Sequence, residues 1–436
     1  MVVMAFQFST EFLGVVLSAQ VAFSKRSWPY MLDLAVPWLM TQGQRSLTKL
    51  HALASSGRSL SGYYRFLSDG KFRLEVFWRS LFDLIVSVFR LKSLLIVADD
   101  TLCPKWGHRI FGTASFFDHV SRPRPGFIWG HNWVVLSLIV QWRSTPIALP
   151  FWVQLYRPEK TCAPGEFRTR LQMVAEALKA VRRRTFLPIQ IVADGAYNNK
   201  SLIQPLSELG IPLISRLRAD AVLRRPLPLV VRPGPGRRAV YGPALPPLAV
   251  LARRGSGWKR IVVHIYRTDV TLWVKVIDAL WPACQEKLRV VIVRDPKGRR
   301  RTCYLSSTDL SMPAEQIIET FAKRWSIEQL FSDVKQHLGL DSAELRCERS
   351  VIRHATLTFA FATWVHVWHH TTHSKRSTTQ SSKLHQMPCS FRCKLQDLRK
   401  DVIKRTIFAS RVRDTRLPRN SNLLADLFVR TMASSG

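Results

Sequence analysis

Apolar positions along the first 90 residues recur at helical spacing. Leu47, Leu50 and Ala54, and later Phe77, Leu81, Leu84, Ile85 and Val88, fall on helix faces with a 3.6-residue period. Between them, Arg58–Lys71 interleaves Arg and Tyr with Ser and Gly. That stretch admits two readings, part of a small DNA-binding helical domain or an ordinary polar loop. From Leu94 the period changes. Leu94–Asp100 is a short apolar run ending in two acids, the pattern of a buried strand. Phe127–Gln141 and Pro146–Tyr156 are two more strand-like runs. Glu166–Arg183 places Leu171, Val174, Ala175, Leu178 and Val181 on one face of a helix. Ile189–Asp194 is another apolar strand, Lys200–Leu209 a short helix and Ile211–Leu217 a fifth strand. This alternation implies an α/β layer architecture.

Residues 218–257 break the pattern, with seven prolines between Pro226 and Pro247. Neither a helix interior nor a central strand tolerates that. Arg260–Arg267, Val270–Leu280 and Leu288–Arg294 then read as strands, and Asp295–Gly298 as a turn leading into Arg299, Arg300 and Arg301. Residues 218–301 therefore form a β-rich insertion. Tyr304–Asp309 resumes the core. One long helix is expected from about Pro313, with Asp309 or Ser311 as its cap. Val351–His370 is helix-like, and the polar run 369–383 reads as a linker. The expected organisation is a helical N-terminal DNA-binding region (1–90), a core in two parts (91–217 and 302–345), the insertion (218–301) and a helical, partly disordered basic tail (346–436).

Composition gives this architecture a partner. The 436 residues carry 65 Lys+Arg against 30 Asp+Glu, a formal charge of +35. Such an excess destabilises a compact fold by self-repulsion unless a polyanion is near. Nucleic acid is the first expectation and a membrane surface the competitor. No apolar stretch approaches the ~18 residues that span a bilayer. No cationic segment precedes the apolar stretch Phe12–Phe23, so a signal peptide is not expected. The seven scattered cysteines suit reduced thiols and a cytoplasmic protein. Cys389 and Cys393 near His385 make a loose half of a zinc site. His366, His369, His370 and His373 read either as metal ligands or as a solvated helix end.

Acids are scarce, yet two strands end in them: Asp99 and Asp100 on one, Asp194 on another. Carboxylates at strand ends are costly unless paired with cations. Strand ends are also where ligands sit in open α/β sheets. A third acid comes from helix geometry. At ~100° per residue, Phe321, Arg324, Glu328 and Lys335 fall within an arc of roughly 60°. Ile327, Phe331, Val334 and Leu338 occupy the neighbouring arc. Glu328 is thus flanked by two cations beside a buried face. A surface salt-bridge ladder would explain that alone. With two strand-end acids and +35, a metal-holding carboxylate flanked by phosphate contacts explains it better.

With these residues in view, the sequence resembles bacterial insertion-sequence transposases of the DDE superfamily, in the branch marked by a Tyr-Arg-Glu-Lys signature. The resemblance covers about residues 91–345. Its strongest part is Ile317–Phe331 with Lys335 and Leu338-Gly339 behind, where Arg324, Glu328 and Lys335 hold the signature's intervals. Asp194-Gly-Ala-Tyr197 after a strand is a second part, and Asp99-Asp-Thr101 with Lys105 and Gly107 a third. Gly130–Leu136 is similar to the family's second strand. Phe321 stands where the signature has Tyr, so a hydroxyl contact to phosphate is lost. The spacing of Thr101 favours Asp99 over Asp100, and strand alternation lets only one of the two face a site.

The resemblance implies an RNase H-like core with a mixed five-stranded sheet. It implies that Asp99, Asp194 and Glu328 hold two Mg²⁺ ions (Mn²⁺ as a substitute), with Asp100 as the alternative to Asp99. It implies that Arg324, Lys335 and Lys105 contact DNA, and cut-and-paste transposition of terminal inverted repeats into target DNA by a homodimer at the bacterial nucleoid. Arg299, Arg300 and Arg301 are phosphate-contact candidates on a turn, and Trp258 and Trp273 are candidate stacking or core residues. Two other readings stand beside this one: another nuclease on the same fold, and a non-catalytic DNA-binding protein derived from a transposase.

Overall fold

A computed structural model describes residues 8–54, 56–118, 126–227, 240–376 and 389–413. Residues 228–239 of the proline-rich stretch, 377–383 of the polar run, His385 and 414–436 of the tail lie outside the described residues. Five helices come first: α1 (Thr10–Leu17), α2 (Trp28–Met40), α3 (Leu47–Ala52), α4 (Leu60–Ser68) and α5 (Leu74–Val88). Next are β1 (Leu94–Pro104), β2 (Ala114–Asp118), β3 (Gly126–Trp142) and β4 (Thr145–Tyr156), then α6 (Arg170–Arg184), β5 (Ile189–Ala193), α7 (Lys200–Glu208) and β6 (Leu213–Arg216). The insertion contributes α8 (Leu248–Arg253), β7 (Lys259–Ile265), β8 (Thr268–Trp281) and β9 (Glu286–Arg294). The chain continues through β10 (Cys303–Ser307), α9 (Ala314–Lys323), α10 (Trp325–Leu338), α11 (Glu348–Arg376) and α12 (Phe391–Arg413).

All ten described strands join one mixed sheet. Its centre is β1, paired in parallel with β5, which pairs in parallel with β6. On one side β3 runs antiparallel to β1, and both β2 and β4 pair with β3. On the other side β10, β9, β8 and β7 extend the sheet antiparallel from β6. This mixed sheet with helices on both faces is consistent with an RNase H-like fold. The expected five strands are the middle of a wider sheet, because the insertion's strands add to its edge. β2, which the sequence reading passed over, adds a tenth.

Alternation along β1 and β5 separates the two faces. Val97 and Val192 belong to one hydrophobic cluster, with Ile327, Phe331, Val334 and Leu338 of α10 and much of α11 and α12. Ile96, Ala98, Ile191 and Ala193 belong to the other, with Val174 and Leu178 of α6 and Leu202 and Leu206 of α7. The N-terminal helices share the first cluster, through residues such as Trp38 and Phe77. Trp38 Nε1 donates to Leu338 O at 2.9 Å, tying α2 to the end of α10.

Several expectations are corrected here. Arg58–Lys71 is no polar loop: Ser59 caps α4, and Tyr63, Phe66 and Leu67 are buried at helical spacing. Neither Asp309 nor Ser311 caps α9, whose N-cap is Pro313. Asp309 instead closes a local turn by accepting from Ser311 N and Oγ. The single long helix is two, separated only by Arg324, whose N–H bonds Phe321 O at i−3 rather than i−4. The histidine-rich end of α11 is not solvated. His366 and His369 are buried under α12, and the His370 ring packs 4.4 Å from that of Trp142. No helix among the described residues is long and apolar enough to cross a membrane.

Candidate active site

Strand parity decides which acids can meet. Asp99 follows Val97 by two residues and Asp194 follows Val192 by two, so both point to the α10 face of the sheet. Ala98 and Ala193 pair directly, which sets the two acids side by side where the parallel pairing ends; β5 stops there, but β1 does not end in its acids as expected and runs on to Pro104 against β3. Asp100 has the opposite parity. It accepts from Arg170 Nη1 of α6 at 2.7 Å and from the Tyr197 hydroxyl at 3.0 Å.

Arg324 closes the third side. Its Nη1 donates to Asp99 Oδ2 at 3.0 Å and its Nη2 to Glu328 Oε1 at 2.5 Å, so one guanidinium bridges a strand acid and a helix acid. The tightened turn at Arg324 and the i,i+4 spacing place both side chains over β1. The Phe321 ring lies 5.7 Å from the guanidinium carbon and packs against it. Lys335, on the same helix, donates from Nζ to Leu102 O of β1 at 2.7 Å.

The site is short of positive charge. Burial pushes the Asp99 carboxyl up to about 7; Arg324 opposes this, while the negative charges of Asp100 and Asp194 add to it. A half-buried carboxylate cluster with one bridging cation suits divalent ions, which need several carboxylate oxygens. By donor chemistry and shared face, Asp99, Asp194 and Glu328 fit such ions, and Asp100 is already engaged by Arg170 and Tyr197.

The other expected DNA contacts separate into two groups. Arg299, Arg300 and Arg301 are exposed on the β9–β10 turn. Ala193 pairs with Ser215, and Leu305 pairs with Arg216 and with Val291, so this turn projects from the sheet end that carries Asp99 and Asp194. Three strand spacings separate β10 from β1, roughly 14 Å. Lys105 does not join them. It is buried, and Nζ donates to Leu340 O, Asp341 O and Ala343 O at 3.3, 2.8 and 2.9 Å. All three of its donors are engaged in holding the loop after α10, so Lys105 is a structural tie and presents nothing to phosphate. In the insertion, Lys275 and Arg294 both lie over the Trp258 ring, at 4.7 and 4.3 Å. Trp273 is 37% exposed on β8 rather than in the core.

Three residues beside the site were not assigned from sequence. Tyr197 is buried and holds Asp100, although the Asp194-Gly-Ala-Tyr197 motif marked its position. Arg170 opens α6 and donates to Asp100. Arg216 ends β6 on the parity of Ile214, exposed; the neighbouring Cys303 thiol raises its pKa most, and Asp194 adds to that.

Residues 21–274, more than half of the chain, match the family described as DDE superfamily endonuclease, and this segment holds Asp99 and Asp194. Residues 278–362 match the family described as "Archaeal putative transposase ISC1217", and this segment holds Glu328. No curated protein matches the chain. Members of the superfamily generally use divalent metal ions. The chain belongs to the DDE superfamily of endonucleases and is a DDE transposase, whose substrate class is DNA.

Proposed function

We propose that this transposase cuts DNA at the ends of its element and joins the freed 3′ ends to target DNA, with Asp99, Asp194 and Glu328 as its metal-holding carboxylates. The observation that carries the reading is that Arg324 bridges Asp99 of β1 and Glu328 of α10, while Asp194 at the end of β5 lies beside Asp99 on the same face of the sheet. Two Mg²⁺ ions held there would ease deprotonation of the attacking water and offset charge on the leaving 3′ oxygen. Mn²⁺ would substitute, since both favour oxygen ligands.

The chain's own groups position the DNA. Arg216 and the Arg299–Arg301 turn flank the carboxylates on the sheet end and attract the backbone phosphates. Arg324 and Lys335 are placed to neutralise phosphates nearest the scissile bond. Tyr197 and Arg170 hold Asp100, and thereby the segment of β1 that carries Asp99, in position. In the first step water attacks phosphorus, the P–O3′ bond breaks, and the 3′ oxygen takes a proton. In the second, that 3′-hydroxyl attacks a target phosphodiester, one P–O bond replacing another. Two ends cut together would require two chains, hence a homodimer on DNA. A groove of 1110 Å³ between α5, β4 and α6 is lined by none of the three acids. Their open setting suits a polymer lying across the sheet end.

The test is end cleavage by the full chain carrying Asp194→Ala, on DNA with the inverted repeats that flank its coding region, with binding measured on the same samples. Cleavage is expected to vanish while binding persists. Cleavage at the unaltered rate would end the three-acid mechanism.

A further inference from the structure

A second cluster of metal-ligating side chains lies far along the chain from these acids. His369 near the end of α11, Cys389 just before α12 and Asp397 within α12 bring one ligand atom each to within 4.8 Å of one another. His369 Nδ1 is buried with no hydrogen-bond partner, and its Nε2 lies 3.9 Å from Asp397 Oδ2. Cys393, one turn into α12, puts a second thiol beside that of Cys389 and receives a hydrogen bond from Ser390 Oγ at 3.3 Å. His366 does not compete for the same place, because Lys394 Nζ occupies its Nδ1 at 3.1 Å.

We propose that His369, Cys389 and Asp397, with Cys393 as fourth ligand, form a structural Zn²⁺ site that clamps α12 onto the end of α11. The donor set is that of a closed tetrahedral zinc centre. Bond lengths of about 2.0–2.3 Å put tetrahedral donors roughly 3.4–3.8 Å apart. Small rotations of His369, Cys389 and Asp397, already within 4.8 Å of one another, and of Cys393 beside Cys389, close the site. Local charge agrees. Two thiolates and a carboxylate around Zn²⁺ leave one net negative charge, beside the buried ammonium of Lys394. That ammonium otherwise has Asp333 of α10 as its nearby acid. The clamp would also brace the Glu328 helix, since the Phe391 ring at the start of α12 stacks 6.2 Å from His337 of α10.

The experiment is a Co²⁺ titration of the metal-stripped full chain, read by absorption. A thiolate-to-cobalt charge-transfer band requires cysteine ligands, which the Asp99–Asp194–Glu328 cluster lacks. The band is expected to saturate at about one Co²⁺ per chain. It should be lost in the double variant Cys389→Ser/Cys393→Ser, need a higher Co²⁺ concentration to saturate in His369→Gln, and be retained unchanged in Asp194→Asn. Added Zn²⁺ should bleach the band and raise the denaturation midpoint of the unaltered chain. No thiolate band in the unaltered chain, or one that survives the double replacement Cys389→Ser/Cys393→Ser, overturns the proposal. So does a denaturation midpoint indifferent to Zn²⁺, and neither result bears on DNA cleavage.

Discussion

Arg324 sits where the account places divalent ions, so its removal should expose a competition between the two. The guanidinium holds Asp99, whose side chain is 17% exposed, and Glu328, which is 34% exposed. Deleting one partner of a fully buried pair costs about 3–5 kcal/mol. The Glu328 bond counts nearer the ~0.5 kcal/mol of an exposed pair. Arg324→Ala should therefore lower metal-free stability by about 2 kcal/mol. In the unaltered chain an entering ion must displace Arg324, and its apparent affinity is reduced by the same amount. The variant escapes that penalty, so Mg²⁺ should bind it about 30-fold more tightly. At an Mg²⁺ concentration of 100 times the variant's Kd, stabilisation should be about 2.7 kcal/mol for the variant. For the unaltered chain it should be under 1 kcal/mol. The assay is urea unfolding with and without Mg²⁺, which reads binding without activity. Equal Mg²⁺ stabilisation of the two proteins would refute the claim that Arg324 stands in for the metal.

Three further outcomes follow from the geometry. Replacing Arg299, Arg300 and Arg301 together with Ala should reduce the slope of log affinity against log salt by roughly 2–3; an unchanged slope would remove the turn from the DNA path. Lys105→Met should cost about 1–3 kcal/mol of stability by leaving buried carbonyls unpaired, with DNA affinity of the folded fraction unchanged; a selective loss of DNA binding would reverse its assignment. His354, lowered to about 3 by burial, is neutral in the fold, so its stability contribution is complete above its ordinary value near 6.5 and is lost as pH falls from there toward 3. Asp99, raised to about 7, changes in the opposite sense, losing stability as pH rises toward 7. The difference between the unaltered chain and His354→Gln isolates the histidine: acid unfolding between pH 6 and 4 should ease by up to ~1.4 kcal/mol per pH unit in the variant, and coincident pH curves would contradict it.

Much of this was legible in local pattern. Leu94–Asp100 and Ile189–Asp194 announce strands because apolar runs of that length have few other uses, although β1 runs past its acids to Pro104. The helical arc of Phe321, Arg324, Glu328 and Lys335 survives the one-residue break, since Arg324 keeps αR backbone angles. Distant pairing was not legible. Nothing local to Cys303–Ser307 says that it will lie against Leu213–Arg216 and carry the insertion's strands onto the same sheet. Lys105 misled for the same reason, since its three carbonyl partners are more than 230 residues away. Ala114–Asp118 is too short to stand out. The histidines of α11 looked solvated because the helix that buries them arrives only after residue 390. Cys389 and Cys393 drew notice, but their nearest histidine in sequence, His385, was the one singled out, whereas the fold brings His369 to Cys389.

Metal position tests the central claim most directly. With Fe²⁺ in place of Mg²⁺, ascorbate and peroxide generate hydroxyl radicals that cut the backbone beside the bound ion. The Zn²⁺-loaded chain is predicted to break near residues 99, 194 and 328 together, and Mg²⁺ should suppress all three cuts in parallel. Cuts confined to other segments, or a cut at 100 and 170 without those at 194 and 328, would contradict it.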